Sequence, residues 1–350
     1  MQRIEDIDKN FKASVPQPDG MTSYDILQPP FKLYGILYGE KGFYRMDEKT
    51  ADSVSEGVGV LNYHTSGGRL RFNTDARRIM ITVDLGELCH MSHMPLSGSS
   101  SFDLYVDGVY KSVFRAPNNE DYHKIWSSEI SLPEGDSKEI LINFPLYNKV
   151  RNVCVSLDKW ASVREPKPYE DKEPIVFYGS SITHGGCASH PGNAYPNMIS
   201  RALDRDFINL GFSGCCKAEY EMCEYIGRLP MSLFVYDYDY NAPTPEFLEA
   251  THGRFFRQFR RLNPDVPVIM LSHADNLFGD EIMARRRAVV RSTYENALNE
   301  GDKNVYFIDG REFYKEYGLD FCTVDCVHPN DLGFFGFHKV LSEFIKENDL

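Results

Sequence analysis

Ile175-Val176-Phe177-Tyr178-Gly179-Ser180-Ser181-Ile182-Thr183 is the stretch on which the fold turns. Four apolar residues in a row read as a short strand buried on both faces, the pattern of a parallel sheet. Glycine ends the strand at once, and a hydroxyl follows where a helical pattern begins. A serine on a strand-to-helix turn stands at the sheet edge where α/β proteins gather their chemistry.

Working outward, the C-terminal half alternates strands with helices. The strand candidates are 175–178, 207–212, 233–239, 266–272 and 305–309. The helix candidates are 194–203, 219–228, 245–262, 280–299 and 332–347. This alternation predicts a parallel sheet with right-handed crossovers and helices on both faces.

The N-terminal half has a different period. Short apolar or alternating runs fall at 32–38, 58–65, 69–74, 79–85, 102–106, 109–115, 139–144 and 152–157, separated by turn residues. Asp107-Gly108 between two alternating runs marks a two-residue hairpin. An all-β sandwich or jelly roll is expected over 1–162, a polar, proline-rich linker over 163–174, and the α/β domain over 175–350.

Composition narrows the function classes. The 350 residues are 42% hydrophobic and 25% charged, as in globular domains. A net charge of −13 argues against a nucleic-acid or anionic-membrane surface. The first residues lack a signal-peptide pattern and no apolar run reaches membrane length, so a cytoplasmic protein is expected. The eight cysteines are expected to be free thiols. Cys322, Cys326 and His328 do not match a common zinc spacing, and no phosphate loop or dinucleotide fingerprint is present. The expectation is therefore an enzyme without metal or cofactor.

The chemistry-bearing residues all fall at C-terminal strand ends. Ser181 follows the first strand. Gly214 follows the second, in Asn209-Leu210-Gly211-Phe212-Ser213-Gly214. Asn241 follows the third, in Asp239-Tyr240-Asn241-Ala242-Pro243. Asp325-Cys326-Val327-His328 precedes the last helix. A serine, an imidazole and a carboxylate are the parts of a Ser-His-Asp relay, and acyl transfer also requires oxyanion donors. Competing signals have plainer readings. Gly98-Ser99-Ser100 reads as a loop, Glu249/His252 as a solvated pair on a helix, and Glu87/His90 and Glu120/His123 lie in the β half. Tyr236, Tyr238 and Tyr240 alternate as sheet packing, with Tyr240 nearest the strand end. His273, Asp275 and Asn276 follow the fourth strand. Tyr240 and His273 are taken as candidate substrate contacts.

In order and context these four blocks resemble the SGNH (GDSL-type) hydrolases. Gly179-Ser180-Ser181 stands where that family has Gly-Asp-Ser, and Asp325-x-x-His328 where it has Asp-x-x-His. Gly214 and Asn241 match its oxyanion residues. The resemblance implies a flavodoxin-like three-layer domain of about five parallel strands. It also implies Ser181 as nucleophile and oxyanion donor, Gly214 and Asn241 completing the oxyanion hole, His328 as base and Asp325 as its orienter. Ser180 departs from the usual Asp, and Asp239-Tyr240-Asn241-Ala242 departs from Gly-x-Asn-Asp. The β half resembles the N-terminal domain of a largely bacterial, carbohydrate-esterase-like subset. Phe102-Asp103-Leu104-Tyr105 carries that likeness, with Ser101 in place of glycine.

The expected activity is hydrolysis of a short acyl ester, acetyl first, on a carbohydrate. No long apolar insertion resembles a lipase lid. The rival readings are a thioesterase or lysophospholipase with the same triad, and a carbohydrate-binding protein with a vestigial catalytic half. The expected partner is a small-molecule or oligosaccharide ester, with no nucleic acid and no membrane.

Overall fold

The apolar run at 175 does become a strand, and it sits inside a parallel sheet. The computed structural model describes residues 18–86, 89–117, 125–170, 172–274 and 279–350. Glu87, Glu120, His123, Asp275 and Asn276 lie outside the described residues. The chain divides into two units. One comprises the residues through Arg45, Tyr63–Pro168 and His190–Gly192; the other comprises Met46–Asn62, Tyr169–Ser189 and Asn193–Leu350.

The second unit is built on β1 (Ile175–Gly179), β2 (Phe207–Gly211), β3 (Leu233–Asp237), β4 (Val268–Leu271) and β5 (Val305–Ile308). All pairs are parallel, in the order β2-β1-β3-β4-β5, the flavodoxin-like arrangement. In that order the chain reverses direction across the sheet at β1 and β3, the topological switch point at whose C-terminal strand ends open α/β sheets bind ligands. Its helices include α1 (Ser181–His184), α2 (Tyr195–Leu203), α3 (Tyr220–Ile226), α4 (Pro245–Leu262), α5 (Asp280–Asn299), α6 (Leu319–Cys322) and α7 (Asp331–Glu347).

Period-two alternation sends β1 side chains to opposite layers. Val176 and Tyr178 join Phe234, Tyr236 and Phe255 on the face covered by α3 and α4. Phe177 packs edge-on against Tyr195 of α2, which stacks on Phe337 of α7. Both sheet faces are therefore covered, and β1 is buried throughout. Thr244 caps α4 by accepting the Phe247 N–H, with Pro245 at the first helical position.

The first unit is an antiparallel sandwich. One sheet orders Met21–Asp25, Asn152–Asp158, Arg78–Asp84 and Trp126–Ser131. The other orders Val163–Arg164, Arg69–Thr74, Lys138–Asn143, Phe102–Val106 and Val109–Phe114, with Lys32–Tyr34 also on Arg69–Thr74. Phe72, Leu104 and Ile142 of one sheet share a core with Ile79, Ile81 and Val155 of the other. At the hairpin, Asp107 and Gly108 both have positive φ, 51° and 76°. Those are the signs a type I′ turn needs, and Val106 pairs Val109 across it.

Several sequence expectations change. Residues 58–65 were expected to be a strand; 56–61 form a helix instead. Asp47 caps the Thr50 N–H and Ser55 caps the Val58 N–H, so two short helices, Glu48–Val54 and Glu56–Leu61, follow each other. Their apolar residues Ala51 and Val58 lie in the second unit's core. Local caps outweigh the β preference of Val58 and Val60 here. Leu96–Ser99 is a helical turn rather than a loop, and Ser100 is buried with its hydroxyl 2.6 Å from the Asn148 amide. His252 is not solvated. It is buried, bonded through Nδ1 to Thr293 Oγ1 at 2.9 Å and stacked on Tyr236, and burial pushes its pKa down to about 3. The eight cysteines are all free.

Candidate active site

Ser181 opens α1, directly after β1. Ser180 takes the N-cap, its hydroxyl accepting the Ile182 N–H at 3.1 Å. That accounts for a small oxygen-bearing residue at this position. Gly179 is required by close approach. A Cβ there would lie 2.1 Å from Thr183 Oγ1 and 2.7 Å from the Asp237 carbonyl oxygen. The turn is held from below: Asn209 donates its amide to the Thr183 carbonyl at 2.8 Å, and Thr183 donates its hydroxyl to Asp237 Oδ2 at 2.9 Å.

Asp325 and His328 belong to a tight hairpin before α7. The Val324 N–H donates to the His328 carbonyl at 2.9 Å, and Thr323 bridges Pro329. Asp325 Oδ1 accepts the backbone N–H groups of Val327 (3.1 Å) and His328 (2.7 Å). Its other oxygen lies 2.7 Å from His328 Nδ1. Partial burial works against the charge on Asp325. The bonds from the His328 N–H and ring, attraction to His328 and the Val327 N–H outweigh it, so the carboxyl is held below its ordinary range.

The two loops meet. Ser181 Oγ lies 2.9 Å from His328 Nε2, so hydroxyl, imidazole and carboxylate form one continuous hydrogen-bonded line across 147 residues of chain. Two further bonds pin the loops to each other. The Cys187 N–H donates to the Pro329 carbonyl at 3.2 Å, and Ser189 donates its N–H and hydroxyl to Asp331 at 2.8 and 2.5 Å. Asp331 and Ser189 gave no signal in the sequence, because their value lies only in joining two distant loops. Such a line can move a proton from the hydroxyl to the ring while the carboxylate stabilises the imidazolium.

Gly214 and Asn241 also come together at this edge, but not as two donors facing one open position. The Gly214 N–H donates to Asn241 Oδ1 at 3.0 Å. The Asn241 amide donates to the carbonyls of Phe212 (3.0 Å) and Cys216 (2.9 Å). In this structure Asn241 is a clasp across the turn after β2. Gly214 has a φ of +68°, and a Cβ placed there would meet nothing within 4 Å, so the turn has room around it.

Of the expected substrate contacts, His273 is 1% exposed and packs its ring against Tyr240 with centroids 3.6 Å apart. Its backbone N–H donates to Asp239 Oδ2 at 2.9 Å. A buried ring beneath Tyr240 cannot line a cleft, so the pair reduces to Tyr240, which is half-buried and accepts the Ala274 N–H on its hydroxyl at 2.7 Å. Tyr236 and Tyr238 are fully buried sheet packing, as read from their alternation.

Comparison with known proteins fits this geometry. Residues 172–346 match the model of the GDSL-like lipase/acylhydrolase family, half of the chain. The chain belongs to the GDSL-like lipase/acylhydrolase family. It is an esterase of that fold. Residues 21–163 match the GxDLY model, described as the N-terminus of SGNH-hydrolase-type esterases, in spite of Ser101 at the glycine position. Among solved structures, a protein described as a GDSL-like lipase from Bacteroides ovatus is 27% identical, with a TM-score of 0.82 over 93% of this chain and 97% of that one. A salicylyl-acyltransferase from a tetracycline biosynthetic pathway is 20% identical, with a TM-score of 0.76 over 95% and 99%. A family two carbohydrate esterase from Cellvibrio japonicus is 12% identical, with a TM-score of 0.61 over 93% and 97%, a likeness of fold. No curated protein matches the chain. No helix among the described residues is long and apolar enough to cross a membrane.

Proposed function

We propose that this family member is a serine esterase that removes short acyl groups, acetyl first, from a carbohydrate. The unbroken Ser181–His328–Asp325 line carries the reading. His328 Nε2 takes the Ser181 proton as Oγ attacks the ester carbonyl. The tetrahedral intermediate collapses with His328 protonating the leaving alcohol, leaving an acyl group on Ser181. Water then attacks that acyl group, giving its proton to His328, and Ser181 leaves with a proton returned from the ring. Asp325 keeps Nδ1–H toward itself and offsets the ring's transient charge.

The oxyanion falls to the Ser181 N–H with Gly214 and Asn241. For the latter two to serve it, the Gly214–Asn241 bond must open and the Asn241 amide must release the Phe212 or the Cys216 carbonyl as the intermediate forms. The positive φ and empty surroundings of Gly214 support such a movement. Tyr240 is the substrate contact we assign on the β3 side. The sugar is supported by the carbohydrate-esterase folds above. One of similar fold, from Clostridium thermocellum, was solved with cellohexaose, at 16% identity and a TM-score of 0.56 over 81% of this chain and 93% of that one. A small acyl group fits a site whose chemistry sits at half-buried Ser181 and a partly exposed His328.

The test is acetate release from a panel of acetylated sugars beside p-nitrophenyl acetate, with Ser181→Ala as control. Wild type should release acetate from both and Ser181→Ala from neither. Unchanged turnover in Ser181→Ala overturns the mechanism. Hydrolysis that rises with acyl-chain length, with no sugar ester used, overturns the substrate.

A further inference from the structure

Beneath the Ser181 turn lies a carboxyl that the relay above does not use. Asp237 ends β3, paired in register with Gly179 at the end of β1, and is wholly buried. Both of its bonds fall on one oxygen. Oδ2 accepts the Thr183 hydroxyl at 2.9 Å and the Tyr195 hydroxyl at 3.1 Å, and those hydroxyls lie 3.3 Å apart. Oδ1 is buried and has no hydrogen-bond partner among the described residues. Thr183 stands two residues after Ser181 in the single-turn helix α1, so whatever holds Thr183 holds the backbone turn that carries Ser181.

We propose that Asp237 is a positioning residue for the nucleophile, holding the Ser181 turn through Thr183 in its ionised form. The proposal rests on the reading of Ser181 as nucleophile. The two hydroxyl donors suit a carboxylate: both give their protons to one oxygen, and charge-assisted bonds are about twice as strong as neutral ones. A protonated carboxyl would place its hydrogen on Oδ1, where no acceptor waits. Burial raises the carboxyl to about 7, the Thr183 and Tyr195 bonds pull against that rise, and Asp239 adds to it. The charged or titratable groups facing Asp237 are Tyr195, from α2, and Asp239, just beyond the same strand. Asp239 is itself paired with Arg286 at 2.8 Å. No Lys, Arg or His bonds Asp237 among the described residues. The sign follows. Above about pH 7 the carboxylate grips Thr183, and as the pH falls through that value the grip weakens. The acid side of the activity profile then carries one proton more than it would without this carboxyl.

The experiment measures the rate of fluorophosphonate labelling at Ser181 from about pH 5 to about pH 9, a span that brackets the titration of Asp237 near 7. Wild type, Asp237→Asn and Tyr195→Phe are compared as full-length chains. On the acid side wild type should lose rate more steeply than Asp237→Asn, the added slope approaching about tenfold per pH unit for the one extra proton. Tyr195→Phe keeps the stacking on Phe337 but removes a donor to Oδ2, so its acid limb should move to higher pH. In parallel, the infrared difference between wild type and Asp237→Asn should contain a protonated-carboxyl band that disappears as the pH rises past neutrality. Should Asp237→Asn fail to fold, the Tyr195→Phe shift decides the matter. Superimposable profiles for wild type and Tyr195→Phe, with brisk labelling, overturn the role of Asp237 alone. A wild type that takes no label overturns the Ser181 reading itself, and the positioning role with it.

Discussion

Replacing Asp325 separates what its charge does from what its shape does. One oxygen folds the hairpin by accepting the Val327 and His328 N–H groups, and the other faces His328 Nδ1. The charge acts when the ring becomes an imidazolium. Two unit charges about 4 Å apart attract by about 1 kcal/mol in water and about 4 kcal/mol at the effective dielectric of a protein surface. The Asp325 and His328 side chains are 38% and 24% exposed, which places this pair between those limits. At about 1.4 kcal/mol per tenfold, Asp325→Ala should cost about 5- to 10³-fold in kcat/KM. Asp325→Asn should cost more, near 10⁴-fold. Its carbonyl can keep the two backbone bonds, which turns the amide NH2 toward Nδ1. Nδ1 must then accept, Nε2 carries the proton, and the ring can no longer take one from Ser181. The order is counterintuitive, because the isostere is worse than the truncation. Initial rates on p-nitrophenyl acetate give the order, and thermal melting shows that both variants fold. An Asn variant faster than the Ala variant refutes the tautomer reasoning, and an Ala variant within about twofold of wild type removes Asp325 from the mechanism.

Other substitutions probe the remaining parts of the site. Asn241→Ala removes both the clasp on the 212–216 turn and a proposed oxyanion donor, so turnover should fall about 10²–10³-fold; a change under about threefold removes Asn241 from the site. Gly179→Ala drives a methyl group to within 2.1 Å of Thr183 Oγ1, so fluorophosphonate labelling of Ser181 should be lost even in a folded protein. Labelling at the wild-type rate would show that the turn accommodates a side chain. Gly214→Ala meets no atom but forces a left-handed φ on alanine, so its melting temperature should drop by the equivalent of about 1–2 kcal/mol. An unchanged melting temperature would deny that the turn keeps this conformation in solution.

The α/β half was legible because its signals agree with one another. The strands are short, mostly apolar runs, three of them end in Gly179, Gly211 and Asp237, and Pro245 and Asp280 mark helix starts at the residues where the structure begins them. The sandwich was less legible. Trp126–Ser131 reads Trp, Ser, Ser, Glu, Ile, Ser, and only Trp126 is buried, so its pairing with Arg78–Asp84 comes from the neighbour rather than from its own apolar content. The helices at 48–61 were hidden because Val58 and Val60 look like strand residues while the deciding atoms are the side-chain oxygens of Asp47 and Ser55.

At the candidate site, Ser181, Asp325 and His328 could be grouped from their order, their context and their resemblance to the SGNH blocks, and the structure brings their side chains into hydrogen-bond contact. Asp237 could not. In Val235-Tyr236-Asp237-Tyr238 it reads as the polar end of a strand, and its interest arises only when Thr183 and Tyr195, 54 and 42 residues away, bring their hydroxyls to one oxygen and the other has no partner among the described residues. The Gly214–Asn241 bond was equally out of reach, since two residues can be placed at one edge from sequence without knowing which atoms face each other. The two sides of the site are consequently built to different tolerances. Ser181 rests on Gly179, Asn209, Thr183 and Asp237, all buried, so little there can move without cost to packing. Gly214 stands in open space with its N–H on a side chain. If the catalytic cycle requires a rearrangement, it belongs to the Gly214 side, where a carbonyl oxygen gaining charge can replace Asn241 Oδ1 as the acceptor of an N–H that is already in place.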